Sequence, residues 1–195
     1  MRKLYIDFDN TLFNTVKFND NCSSFLEKYN ISKEEQVKVF KSLNKDIFDY
    51  KEILEAISKK YNIDKELLFN DYNEVLKGNY IFDDTIEFLE YCKDKYDLRL
   101  LTWGNNEYQL EKIGCAKISK YFKELIITQK YKFDIEIDYK NSIFLDDNPR
   151  DLKGLMNNNS YLVIRLCRGK YKNYEKELEV ISVNSLKEII EKGLI

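Results

Sequence analysis

Four places in this 195-residue chain put oxygen- and nitrogen-bearing side chains directly after a short apolar run. Asp7-Phe8-Asp9-Asn10-Thr11 follows Leu4-Tyr5-Ile6, and Thr102-Trp103-Gly104-Asn105 follows Leu98-Arg99-Leu100-Leu101. Lys130 and Lys132 follow Leu125-Ile126-Ile127-Thr128, and Asp146-Asp147-Asn148 follows Ile143-Phe144-Leu145. Carboxylates that converge at strand ends repel one another unless a hard cation sits among them. The chain has no histidine, and oxygen donors without imidazole or thiolate favour magnesium.

For these groups to meet, the runs before them must be strands of one sheet. Residues 3–9, 98–102, 125–128, 142–146 and 161–164 read as short buried strands, and helical patterns near 84–95, 106–113 and 186–193 alternate with them. Such alternation predicts an α/β fold, a Rossmann-like parallel sheet with helices on both faces. Open sheets of that kind bind ligands outside the carboxyl ends of their strands, where the four clusters fall. Between residues 14 and 79 the period changes. Val37, Phe40, Leu43 and Ile47, then Ile53, Leu54, Ile57 and Tyr61, recur at helical spacing between Lys and Glu. The chain therefore divides into a core of residues 1–14 and 80–195 and a helical insert of residues 15–79.

Composition removes whole classes of chemistry. Without histidine there is no Ser-His-Asp or Cys-His nucleophile, no His-ligated zinc or haem and no imidazole proton shuttle. With 32 basic and 34 acidic residues the chain lacks the positive field that a nucleic-acid scaffold requires. Cys22, Cys92, Cys115 and Cys167 form no C-x-x-C pair and read as reduced, packed thiols. No stretch matches a secretory signal or approaches the roughly 20 apolar residues of a membrane span, so the expectation is a cytoplasmic protein with no membrane partner.

The apolar strand ending in Asp7-Phe8-Asp9-Asn10-Thr11-Leu12, followed in order by Thr102, a lysine and Asp146-Asp147, resembles the four motifs of the haloacid dehalogenase-like hydrolases. The resemblance covers about residues 3–14 and 84–170. It implies that Asp7 is a nucleophile forming an aspartyl-phosphate and that Asp9 is the general acid and base. Phe8 and Asn10 would offer backbone N–H groups to the phosphoryl group, and Thr102 a hydroxyl, with Trp103 beside it at the substrate entrance. Lys130, the residue closer to its strand, is the first choice for the cation that offsets phosphoryl charge, and Lys132 is the second. Asp7 and Asp147 would bind magnesium through side chains and Asp9 through its carbonyl. Asp146 completes the acidic set, and Asp146 and Asp151 would orient metal-bound water or the lysine. The insert takes the position of a C1 cap, the helical lid of this family.

A lid favours a small phosphorylated metabolite over a polymer. The insert contains no arginine, so bidentate capture of a second anion by the lid is excluded. The expected activity is magnesium-dependent hydrolysis of a small phosphomonoester. The alternatives are a sugar-phosphate mutase on the same fold and a non-catalytic phosphoryl-accepting or ligand-sensing domain. Motif order disfavours the last, because in receiver domains the acidic pair comes first and the lysine last. Some motif members also have plainer readings: Asp147-Asn148-Pro149 suits a turn, and Arg165, Arg168 and Lys170 suit a basic surface cluster.

Overall fold

The computed structural model describes residues 1–43, 47–174 and 179–195. Six strands form one parallel sheet: β1 (Lys3–Ile6), β2 (Asp97–Trp103), β3 (Glu124–Thr128), β4 (Ser142–Asp146), β5 (Leu162–Leu166) and β6 (Ile181–Val183). Their spatial order is β3-β2-β1-β4-β5-β6, which makes β1 central. The chain runs outward from β1 on one side through β2 and β3, then returns across it to β4. That reversal is the switch point at which parallel sheets open a crevice. Ile6 lies opposite Leu100 on one neighbour and Leu145 on the other, so the residues just beyond these three positions emerge side by side.

Between β1 and β2 the helical stretch consists of α1 (Thr15–Glu27), α2 (Lys33–Ser42), α3 (Tyr50–Tyr61) and α4 (Lys65–Leu76). Each begins at a side chain that accepts an otherwise unpaired amide: Asn14, Ser32 in a capping box with Glu35, Asp49 and Asp64. Asn62, at φ 53°, ends α3 in the left-handed conformation that asparagine tolerates. The two segments joining these helices to the sheet are bonded to each other. The Asn14 N–H donates to the Tyr80 carbonyl at 2.6 Å, the Phe82 N–H donates to the Leu12 carbonyl at 3.0 Å, and Phe13 bridges Ile81.

Helix α5 (Thr85–Cys92) returns to the sheet, followed by α6 (Asn106–Ala116) after β2, α7 (Pro149–Asn157) after β4 and α8 (Leu186–Glu191) after β6. The period of two along the strands sends Leu4, Ile6, Leu98, Leu100, Ile143 and Leu145 to one face. There they form a continuous core with α5, α6, α8 and the insert. Tyr5, Leu101, Phe144 and Val163 face the other side and pack on Leu152 and Leu155 of α7. The Tyr5 and Phe144 rings stack at 5.1 Å.

Helix α7 and strand β6 lie where the sequence pattern predicts neither. Asp147-Asn148-Pro149 is a turn that becomes a helix start: Asn148 accepts the Arg150 amide and Pro149 occupies the first helical position, where its missing N–H costs nothing. Of the positions expected at helical spacing, Val37 and Phe40 lie in α2 and Ile53, Leu54, Ile57 and Tyr61 in α3, whereas Leu43 caps the end of α2 and Ile47 falls between the two helices.

Candidate active site

The ends of β1, β2 and β4 and the loop after β3 converge on one buried cluster. Asp7, directly after β1, is 5% exposed, and Asp146 and Asp147 at the end of β4 are 2% and 4% exposed. Carboxylate oxygens of the three lie within 4.8 Å of one another. The Lys132 ammonium inserts among them, donating to Asp7 at 2.5 Å and to Asp146 at 2.6 Å. Thr11 donates its hydroxyl to Asp7 at 3.2 Å. Asp146 also accepts the Asn148 amide at 2.8 Å, which fixes the carboxylate that holds Lys132.

One cation among three acids leaves excess negative charge in a desolvated place. Burial pushes the Asp7 carboxyl up to about 7, against the pull of Lys132, while the charge of Asp146 pushes the same way as burial. Burial and the charge of Asp7 push Asp147 up to about 9. Asp151 is likewise raised by burial, and Lys132 partly opposes it. The Lys132 ammonium is stabilised the other way: burial opposes its charge, but Asp146 and Asp7 override it and raise its pKa. Among the described residues, one oxygen of Asp147 and one of Asp151 are buried with no hydrogen-bond partner. Unsatisfied carboxylate oxygens in an acidic, oxygen-only cluster fit a hard divalent cation.

Lys132 reaches the cluster because the chain after β3 closes into a 3-10 turn over Lys132–Asp134. The Tyr139 hydroxyl donates to the Lys132 carbonyl at 3.1 Å, and the neighbouring Phe133 packs on α7 at Gly154. Proximity to the strand favours Lys130, and the structure places it away from the acidic cluster. It is exposed, its backbone is tied to the Thr128 hydroxyl, and its side chain makes no bond to the acidic cluster. Distance from the strand end is a poor guide when a turn, rather than an extended loop, carries the residue.

Asp9 faces a different set of partners. Lys112 and Thr15 donate to one of its oxygens and Gln109 donates to the other at 2.7 Å. Burial would raise the Asp9 carboxyl, but Lys112 first, then the hydrogen bonds, bring it below the usual value. Gln109 also donates to the Trp103 carbonyl at 2.9 Å and lies 3.4 Å from the Thr102 hydroxyl, linking Asp9 to the end of β2. Lys112 is 2% exposed, with the rings of Phe8, Phe13 and Tyr108 at 5.1–5.3 Å from its ammonium.

Sequence reading missed Gln109 and Lys112. A signal was present: both lie on the same face of α6 as Tyr108 and Ile113, a face that should be apolar throughout.

Thr102, 1% exposed, lines a cavity of about 180 Å³ together with Asp7, Lys132, Asp147 and Trp103. The Trp103 indole N–H donates to the Gln129 carbonyl at 3.2 Å, which holds its ring in the cavity lining. The side chain of Phe8 is fully buried, and its carbonyl accepts the amides of Thr11, Leu12 and Phe13. Asn10 departs from expectation. Its amide donates to the Phe13 carbonyl at 2.7 Å within a tight turn with Asn10 at φ 60°, so that N–H is already taken. Wider grooves of 810 and 720 Å³ elsewhere contain none of the acidic triad. The small cavity is the one lined by Asp7, Lys132 and Asp147.

No protein-family model matches this chain, and no curated protein matches it. Solved structures do. YfnB from Bacillus subtilis bound to magnesium aligns at TM-score 0.65 and 14% identity, covering 100% of this chain and 99% of that one. The L-2-haloacid dehalogenase of Xanthobacter autotrophicus aligns at 0.64 and 13%, covering 100% of both. A predicted phosphatase from Clostridium acetobutylicum aligns at 0.61 and 20%, covering 100% and 99%. The chain has the fold of the haloacid dehalogenase-like hydrolases. At these identities the likeness is one of fold, and neighbours of differing chemistry share it.

Proposed function

We propose that this protein is a magnesium-dependent phosphatase acting on a small phosphorylated metabolite through an aspartyl-phosphate on Asp7. The observation that carries the reading is the placement of Asp7. Its carboxylate stands at the end of the central strand, bonded to Lys132, beside Asp147 with its unpartnered oxygen and in one cavity with Thr102. Asp7 and Asp147 would hold the cation. The cation would neutralise Asp7 and phosphoryl charge and so permit an anion to approach an anion.

The chain's own groups divide the remaining work. Asp7 attacks phosphorus and the phosphoryl group passes to it. Lys132 and the Thr102 hydroxyl meet phosphoryl oxygens as negative charge develops, in a site where buried donors act strongly. Asp9 exchanges the protons: one goes to the leaving oxygen, and one is taken from the water that then attacks the aspartyl-phosphate. Held by Lys112, Thr15 and Gln109, Asp9 rests as the anion, the form that the water step needs. For the first step it takes up the proton of the bound phosphomonoester monoanion and passes it to the leaving oxygen. The helices α1–α4, with Phe48 and Asn19 at the neighbouring cavity, act as the cap over the leaving group.

Turnover of 4-nitrophenyl phosphate by the wild type and by Asp7→Asn, in magnesium and in chelator, tests the reading. Hydrolysis that needs both magnesium and Asp7 is expected. Hydrolysis that survives either removal would refute it.

A further inference from the structure

The basic cluster Arg165, Arg168 and Lys170 looks uniform in sequence, but the structure splits it. Arg165 is buried and spends its guanidinium on the carbonyls of Tyr171, at 2.8 Å, and Tyr174, at 3.3 Å. Arg168 is also buried, donating to the Thr11 carbonyl at 3.1 Å and pairing with Asp84. Both clamp the chain that follows β5. Lys170 is exposed and pairs with no carboxylate among the described residues; its ammonium lies 5.3 Å from the Tyr171 ring centroid.

The position of Lys170 is built rather than incidental. Gly169 adopts φ +55°, and a Cβ there would fall 2.2–2.5 Å from the Asn10 side chain. The 3-10 turn Gly169–Tyr171 is thus pressed on the loop of the first motif. Lys170 lines a cavity of about 380 Å³ that adjoins the catalytic one, sharing Asp9 and Trp103 with it. Phe48 and Tyr108, with ring centroids 5.6 Å apart, supply further aromatic wall. Asp9 and Lys112 in this cavity neutralise each other, so Lys170 is the charge left over.

Resting on the phosphatase reading, we propose that Lys170 binds an anionic group on the leaving-group side of the substrate, and that the leaving group is a planar ring. A phosphoryl group over Asp7 places what it is attached to beside Asp9 and Trp103, at the entry to the adjoining cavity. A volume of this size admits a ring-bearing group, aromatic walls favour a flat one, and the ammonium, without a carboxylate partner among the described residues, selects a carboxylate or a second phosphate upon it.

The test compares 4-carboxyphenyl phosphate with phenyl phosphate, using wild type, Lys170→Met and Lys170→Arg in magnesium. The wild type is expected to prefer the carboxylated substrate. Lys170→Met should erase about tenfold of that preference through KM, the size of a lost charge-assisted hydrogen bond, and Lys170→Arg should retain most of it. An equal effect on both substrates, or none on either, overturns the proposal. Titration of 4-hydroxybenzoate into the same proteins by calorimetry separates the two readings. If neither ester is hydrolysed, the phosphatase reading fails, and binding lost in Lys170→Met still supports the Lys170 site. Absent or unchanged binding overturns it.

Discussion

The acidic cluster around Lys132 makes the protein's pH response calculable in sign. Asp7 at about 7 and Asp147 at about 9 stand above the ordinary carboxylate value of 3.8. A group raised in the folded state keeps a proton that the unfolded chain releases. The stability it contributes is complete below the unfolded value and is lost as pH rises through the folded one. In chelator, the melting temperature should therefore fall between about pH 5 and pH 9. The increment from added magnesium should grow over the same range, since the cation displaces those protons. Thermal melts at several pH values check both statements, and a magnesium increment independent of pH would contradict them. Lys132→Met should cost about a hundredfold or more in kcat, as removal of a charge-stabilising donor does, while Lys130→Met should leave turnover within about twofold of wild type. Asp9→Asn should lose at least about a hundredfold, the usual worth of a general acid or base. Steady-state kinetics of the three variants give the comparison.

Single residues were unevenly readable. Asp7, Asp9 and Asp146-Asp147 could be found because an acid directly after a buried apolar run is anomalous on its own. Lysines are numerous in this chain, and nothing local marks Lys132 apart from Lys130. Lys112 and Gln109 sit three residues apart in a helix whose partners are a hundred positions away, so their pairing with Asp9 had no local signature.

At the scale of elements, the turn that presents Lys132 depends on α7. A Cβ at Gly154 would lie 2.1–2.7 Å from the Phe133 ring, next to Lys132 in the chain. Gly154→Ala would ordinarily stabilise a helix by about 1 kcal/mol. Here it must displace Phe133, and we expect instead a loss of about 1–3 kcal/mol by urea denaturation, with lower kcat as Lys132 moves. A more stable, fully active variant would show that the ring relocates freely. The strands β1, β2, β3 and β4 were legible because each is a dense apolar run, whereas β6 has only the three residues Ile181–Val183, two of them exposed. Helix α7 was hidden for another reason. Its start uses Asn148 and Pro149, residues equally at home in a simple turn, and only the following Leu152 and Leu155 tell the two apart.

Across the whole molecule, the sheet and the insert share one hydrophobic core. Phe13, Phe18 and Tyr80 are in mutual ring contact at the junction, and the same cluster continues to Ile6 on the sheet and Leu54 in the insert. Unfolding in urea should accordingly be a single transition, the same by fluorescence of Trp103 at the end of β2 as by far-ultraviolet circular dichroism, which weighs the helices α1–α4. Two separated transitions would mean that the insert is an independent unit. The helical stretch between β1 and β2 was visible as a change of hydrophobic period near residues 14 and 79. The packing that joins it to the sheet was not, because contacts such as Phe13 with Tyr80 link positions far apart in sequence.

The central claim is that Asp7 carries the phosphoryl group, and it can be read on the residue itself. Asp9→Asn should accumulate the intermediate, since the water step lacks its base. After brief mixing with 4-nitrophenyl phosphate and magnesium, borohydride reduces an aspartyl-phosphate to homoserine, and peptide mass spectrometry locates it. Homoserine at position 7, absent without substrate, is the result this account predicts. Release of 4-nitrophenol with position 7 unmodified, or homoserine at another aspartate, would contradict it.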